Sequence, residues 1–300
     1  MSRVQLGVAG VIAIVALRLG IGLHFFYEGA DKLKNPKPFS AGFLGNAKGP
    51  FAGMYKNMIW DADGAARLDW ETTAEYWKGY ADRAAQHYKF DEKQTKQAEK
   101  TAEDYAGRLR NWIGDKADEI AEYEHQLERR DKNAQDASRH TLASLRAHDA
   151  KIEGDRKKLW GQIVPGIDAL WRDLENDMNA LSTPEQWKAH GRLPIGKIGR
   201  RFGDSETVDG FIPYFDFIVG ICLVLGLFVR PAATLAGLFL LSVCVSQWPG
   251  SVGAAPIYYQ GVEMLGLFVL AAIGAGNLAG LDFFITAWRA GCCSTKKAAK

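Results

Sequence analysis

Cysteine is scarce in this chain and absent from its middle. The 300 residues include four cysteines, Cys222, Cys244, Cys292 and Cys293, and none lies within residues 34–208. The sequence has no CxxC pair, no His and Cys spacing suited to zinc, no Walker or dinucleotide-binding glycine loop and no nucleophile elbow. These absences exclude the motif-defined classes of soluble enzyme. They predict no metal site and no cofactor bound through a standard motif.

The chain also lacks a strong excess of charge of either sign. Its 37 Lys and Arg residues nearly balance its 35 Asp and Glu residues, which leaves a formal net charge of +2. Acidic and basic residues alternate in charged segments such as residues 91–100, whereas a nucleic-acid-binding surface needs clustered basic residues. We therefore expect no nucleic-acid partner and interpret these segments as solvated helix faces.

Long apolar runs lie at both ends of the chain. Residues 4–27 form a run broken by three polar residues, which is long enough to cross a bilayer and too long for a signal peptide. Turns containing Pro separate the runs near the other end. These later runs occupy residues 211–229, 232–248 and 257–278. The pattern predicts four membrane spans that contact the lipid bilayer.

Proline is almost missing from residues 68–181, where Pro165 is the only one. This segment is dense in Ala, Glu, Lys, Gln and Arg, which favours long helices. Apolar and small residues recur there at spacings of three and four, a narrow stripe typical of coiled-coil packing. We predict an extramembrane helical insert, folded as a coiled-coil-like hairpin or a three-helix bundle.

The predicted fold class is therefore all-α, a four-transmembrane-helix bundle with a long helical insert. The predicted segments are a first span at 1–33, a membrane-rim loop at 34–67, the helical insert at 68–208, spans two to four at 209–285 and a basic tail at 286–300.

Basic residues in the short segments predict the orientation of the spans. Arg3, Arg230 and the tail lie on one side of the membrane, whereas the loop at 249–256 has no basic residue. This distribution predicts both termini inside a bacterial inner membrane and the insert on its outer side. Lys32 and its neighbours lie on the opposite side and weaken the assignment.

Polar residues inside the spans are the candidate functional residues, because a charge in hydrocarbon is costly unless it is paired. We expect Arg18 to pair with Asp216 or Glu263 in the half of the bilayer nearest the insert, with Gln260 one helical turn from Glu263. Two interpretations are open. The cluster is a structural ion pair that fixes helix register, or a polar pocket for a quinone headgroup, a proton path or a small anion.

A second candidate site lies at the membrane rim. His24 and Glu28 are one helical turn apart on the first span, so they share a face. Because imidazole titrates near neutral pH, this pair is suited to proton exchange. The alternative is a rim histidine that only forms a hydrogen bond.

The same spans resemble those of a known family. Leu17-Arg18, Gly22, Phe25-Phe26, Gly29 and Lys32-Leu33 resemble the opening span of the DoxX family of small four-helix membrane proteins. Residues 226–230 are similar to the family's exit from its second span, and Gly274-Ala275-Gly276 leading to Leu281-Asp282 is similar to its end. The resemblance covers residues 4–50 and 208–285.

The resemblance implies a four-helix membrane bundle and points to the DoxD-like small subunit of thiosulfate:quinone oxidoreductase, with a quinone as candidate ligand. The helical insert departs from the compact family pattern and implies a docking surface for a protein partner. Two functions from different classes therefore stay open, and so does oligomerisation. In the first, the chain is the membrane subunit of a quinone-linked or sulfur-linked oxidoreductase system. In the second, it is a non-catalytic anchor that presents a docking domain to an envelope partner.

Overall fold

The computed structural model describes residues 7–136, 139 and 142–295, and side chains within these ranges as far as residue 288. Over these residues the regular elements are helices, and the β-structure consists of one isolated bridge between Lys48 and Gln247. The all-α prediction is confirmed for this part of the chain.

Most of the helices are joined by short connecting segments. In order they are α1 (Val8–Lys34), α2 (Ser40–Gly45), α3 (Ala52–Lys56), α4 (Ala65–Leu68), α5 (Trp70–Tyr88), α6 (Glu92–Asp115), α7 (Ala117–Ala134), α8 (Ala143–Ala180), α9 (Pro184–His190), α10 (Ser205–Leu225), α11 (Val229–Ser246), α12 (Tyr258–Ile273) and α13 (Leu281–Thr295). They form two compact units, the first made of residues 1–60 and 201–300 and the second of residues 61–200.

Three helices of the first unit, α1, α10 and α11, are long and apolar enough to cross a membrane. They indicate a membrane protein that associates with the lipid bilayer. α12 is also apolar but has 16 residues. It ends at Ile273 because Gly274 adopts a left-handed conformation, with φ of 66°, and a 3-10 turn at Ala275–Asn277 follows. The helix expected to continue to Leu278 is therefore shorter.

Glycines bring α1 and α10 into close contact. A Cβ atom at Gly29 would overlap the backbone of Phe217, and one at Gly220 would overlap the backbone of Phe26. Small residues at such positions let two helix backbones approach within van der Waals distance, which is how helices associate in lipid. α11 packs along α12, and Gly237 leaves room for the ring of Phe268.

The segment predicted as a membrane-rim loop contains the short helices α2 and α3, and α4 begins near its end. α1 ends at Lys34 because Asn35 precedes Pro36 and leaves the helical region. The carboxylate of Asp209 then accepts hydrogen bonds from the backbone N–H groups of Phe39 and Ser40, at 3.1 and 2.9 Å. Together with α2 and α3, these contacts fasten the loop to the first unit.

The second unit has an apolar core of its own. α6 packs against α5 and α8, and α7 packs along α8. Tyr105 and Leu109, members of the predicted apolar stripe, are buried there. The hydroxyl of Tyr105 donates to Asp177 at 2.6 Å, and burial together with this carboxylate raises the pKa of Tyr105 to about 12. The largest fully buried side chains of the unit are Trp77, Tyr80, Tyr88, Leu109, Tyr123, Ile163, Ile167, Leu174 and Met178.

A helix occupies the start of the segment predicted as a basic tail. α13 covers Leu281–Thr295, so residues 286–295 continue a helix that begins five residues earlier. Residues 296–300 lie outside the described part of the chain.

Candidate functional site on the first span

α1 carries polar side chains at three levels rather than in one cluster. Arg18, His24 and Lys32 are about 9 and 12 Å apart along the helix axis at 1.5 Å per residue. Each side chain bonds to a different part of the first unit. The three levels therefore have to be considered separately.

Arg18 binds backbone carbonyl groups at the end of the first unit where α10 ends and α11 begins. Its side chain is buried, and its guanidinium donates to the carbonyl oxygens of Ala275, Leu278 and Ala279 at 2.9, 3.1 and 3.1 Å. These carbonyl groups follow the end of α12, and that of Ala275 also accepts a hydrogen bond from the N–H of Leu278 at 3.1 Å. Gly226 lies against the guanidinium, because a Cβ there would be 2.7 Å from Nη1.

The expected pairing of Arg18 with Asp216 or Glu263 is not found among the described residues. α1 continues seven residues beyond Tyr27, alongside α10, and this extra length places Arg18 level with the end of α10. Asp216 pairs with Lys32 and Glu263 with His24, which lie about 21 and 9 Å further along α1 at 1.5 Å per residue. Arg18 is therefore too far away along the helix axis to reach either carboxylate.

Asp216 pairs instead with Lys32. The Lys32 Nζ atom lies 2.8 Å from Asp216 Oδ2 and 3.3 Å from Glu28 Oε2. The Asp216 side chain is 3% exposed, and its Oδ1 atom has no hydrogen-bond partner within the described residues. At the sequence level Lys32 was used for the family resemblance and for the orientation of the spans, but was not paired with Asp216. The length of α1 past its apolar run was the signal that could have identified this pair.

His24 contacts Glu263 rather than Glu28, so the predicted rim pair is not formed. The His24 Nδ1 atom lies 2.8 Å from Glu263 Oε1, which joins α1 to α12. The imidazole side chain is 50% exposed and the carboxylate 11% exposed. Gln260, one turn before Glu263, has a buried Oε1 atom with no hydrogen-bond partner within the described residues.

Exposed aromatic residues mark the membrane boundary near this contact. Tyr and Trp collect at membrane–water interfaces, where an apolar ring meets a wet polar group. His24 is three residues inside Tyr27 on α1, and Glu263 is four residues inside Tyr259 on α12. The His24–Glu263 contact therefore lies about 5 Å below the boundary, at 1.5 Å per residue. The exposed aromatic residues at this end are Tyr27, Tyr214, Trp248, Tyr258 and Tyr259.

This arrangement is suited to proton exchange with a ligand in the lipid. When Nδ1–H of His24 donates to Glu263, the other ring nitrogen, Nε2, is left to accept or release a proton. Gln260 Oε1 and Asp216 Oδ1, which have no hydrogen-bond partner within the described residues, can each accept a hydrogen bond. Within the described residues, no group of three or more His, Cys, Asp or Glu side chains is placed to hold a metal ion.

Comparison of the chain with models of known protein families, with functionally characterised proteins and with solved structures found no match.

Proposed function

We propose that this chain is an integral membrane protein with a DoxX-like four-helix bundle, in which α12 is the fourth span. Support comes from residues that carry the resemblance: Arg18 is buried, and Gly29 lies at the contact with α10. The 3-10 turn at Ala275–Asn277 continues the apolar segment of α12 past Ile273. An inner-membrane location with the insert outside remains our proposal for its orientation, supported by the basic residues of the short segments.

We further propose that the bundle is the membrane subunit of a quinone-linked oxidoreductase system, sulfur-linked through its partner. The His24–Glu263 contact carries this proposal. A quinone dissolves in the bilayer, and its headgroup reaches the level just below the aromatic boundary. There it would meet an imidazole that is half exposed toward the lipid phase and a carboxylate that is mostly covered. Polar groups at this depth are costly and are kept mostly where they have a function.

Each residue has a separate role in this proposal. His24 hydrogen-bonds a headgroup oxygen through Nε2 and exchanges a proton with it. Glu263 orients the imidazole through the 2.8 Å contact between its Oε1 atom and Nδ1. Gln260 accepts a hydrogen bond from a quinol hydroxyl. Reduction of a quinone consumes two electrons and two protons, so the electrons must come from a redox-active partner subunit.

The first prediction is that His24→Gln and Glu263→Gln weaken quinone binding by about tenfold or more. A hydrogen bond to a charged group contributes about 1.5–3 kcal/mol, and 1.4 kcal/mol corresponds to a tenfold change in affinity. The measurement is a binding titration with a short-chain quinone on the purified protein in lipid nanodiscs.

His125→Gln is the matched control, since His125 lies 3.8 Å from Glu122 on the solvent-exposed surface of α7. This variant should bind quinone as the unmodified protein does. Equal affinity in all three variants, or no binding by the unmodified protein, would remove the basis for a quinone site at His24.

A docking role for the insert is the second candidate function, because the second unit has a core separate from the first. We propose a coiled-coil-like helical domain that binds an envelope partner. The test expresses residues 61–200 alone, and we predict a soluble, helical fragment with one cooperative thermal transition. The fragment should also retain the partner that copurifies with the full chain. A disordered fragment, or a partner that binds only the spans, would exclude this role.

A further inference from the structure

α13 exposes one apolar face at the end of the first unit where α10 ends and α11 begins. Its first turn is fixed in place by the ends of the long helices. The carboxylate of Asp282 accepts hydrogen bonds from the backbone N–H groups of Phe228 and Val229, at 2.7 and 3.0 Å, and its own N–H donates to Gly226 at 2.9 Å. α13 therefore begins level with the end of α10 and the start of α11, at the boundary of the predicted hydrocarbon layer.

α13 bonds to the first unit through polar side chains and exposes large apolar ones. Asp282 binds the start of α11, and the hydroxyl of Thr286, which is exposed, donates to Asn277 at 2.6 Å. Its outer face carries large apolar side chains, with Phe284 66% and Trp288 71% exposed. A large exposed apolar surface marks an interaction site with a protein or a membrane. The exposed apolar residues of the outer face are Leu281, Phe283, Phe284 and Trp288.

This face continues the lipid-facing surface of the spans. A groove of about 460 Å³ runs between the end of α10 and α13, and it is lined by Leu225, Ala279, Gly280, Phe283 and Phe284 among others. Leu225 is itself an exposed residue of a predicted span. Lipid that surrounds α10 would therefore meet the apolar face of α13 without crossing a polar surface.

The charge of the residues that follow Asp282 identifies the lipid bilayer as the partner that covers the apolar face of α13. No acidic residue follows Asp282, whereas Arg289, Lys296, Lys297 and Lys300 are basic. Apolar aromatic residues combined with basic residues are the composition of helices that lie in the headgroup region of a membrane. A soluble protein partner would have no reason to require both features.

We infer that α13 is an interfacial helix, embedded in the headgroup–acyl boundary of the leaflet that surrounds the end of α10, with an acyl chain in the groove beside Leu225. This surface is separate from the quinone site, which lies near the other leaflet. The helix α13 anchors the end of α12 and does not take part in proton exchange.

The test places an environment-sensitive fluorophore on single cysteines in the full chain, after replacement of the four native cysteines by alanine. The labelled variants are Phe284→Cys and Trp288→Cys in nanodiscs. Leu265→Cys on α12 is the lipid reference, and Glu99→Cys on α6 is the water reference. We expect a phospholipid with a nitroxide at acyl carbon 5 to quench the labels at 284 and 288 at least twice as strongly as the label at 99.

Two results would overturn the inference. Quenching like that of the Glu99 label would place α13 in water. Protection from both lipid and aqueous quenchers would show a protein cover, and a disulfide-linked dimer of Phe284→Cys would identify that cover as a second copy. Photo-cross-linking of the unmodified chain to a phospholipid with a diazirine on its acyl chain gives an independent measurement. The cross-links should map to residues 281–288, and their absence there would also exclude the inference.

Discussion

Replacing Arg18 with alanine is expected to destabilise the first unit by about 1.5–3 kcal/mol or more, since a single hydrogen bond to a charged group contributes about that much. The guanidinium donates to three carbonyl groups after α12, and the substitution removes all three of these hydrogen bonds. Because the same turn positions α13, we expect the end of α12 to loosen as well. The measurement is thermal unfolding of the full chain in nanodiscs, where the midpoint should fall by roughly 6 °C or more.

Arg230→Ala is the control for this experiment, because Arg230 lies at the same end of the unit but is exposed. It should change the midpoint by less than about 2 °C, since surface substitutions rarely exceed 0.5 kcal/mol. Arg18→Lys should restore little stability, because a single ammonium cannot reproduce the planar fork of donors. An unchanged midpoint for Arg18→Ala would contradict the structural role of Arg18.

Gly29→Leu is expected to have an effect of similar size on the contact between α1 and α10. A side chain at position 29 would overlap the backbone of Phe217, so one helix has to move as a whole. Overpacking a close contact costs about 1–3 kcal/mol, and more where backbone rather than a flexible side chain must shift. The displacement should also separate Lys32 from Asp216, which lie 2.8 Å apart one turn further along.

Gly20→Leu is the matched control, since a Cβ at Gly20 has no neighbour within 4 Å. Both variants add the same side chain to the same helix, so differences in helix propensity and hydrophobicity cancel. We expect only Gly29→Leu to lower the midpoint of thermal unfolding. Equal midpoints for the two variants would show that α1 and α10 do not pack as described.

Much of the secondary structure could be predicted from residue patterns. Apolar runs at 4–27, 211–229 and 232–248 became α1, α10 and α11, because a helix satisfies its own backbone groups whatever surrounds it. The starts of α6 and α9 could also be predicted from a few neighbouring residues. Asp91 with Gln94 and Thr183 with Gln186 form reciprocal hydrogen bonds that cap these helices within four residues.

The identity of the candidate site residues was also visible in the sequence, whereas their partners were not. A charged or titratable residue in an apolar run is conspicuous because its desolvation is costly. Its partner depends on where neighbouring helices begin and how far each one extends. The sequence predicted one intramembrane cluster and a separate rim pair of His24 with Glu28. The structure contains three separate contacts, of Arg18 with carbonyl groups, His24 with Glu263 and Lys32 with Asp216.

The sequence by itself determined the apolar helices, the helical middle segment and which polar residues lie within the spans, since each depends on interactions within a few residues. Only the tertiary structure decided the pairing, through the axial register of α1 against α10 and α12. Each residue of register moves a side chain about 1.5 Å along the axis and 100° around it. Gly29 and Gly220 set that register by close contact with residues far away in the chain, and no local pattern contains that information.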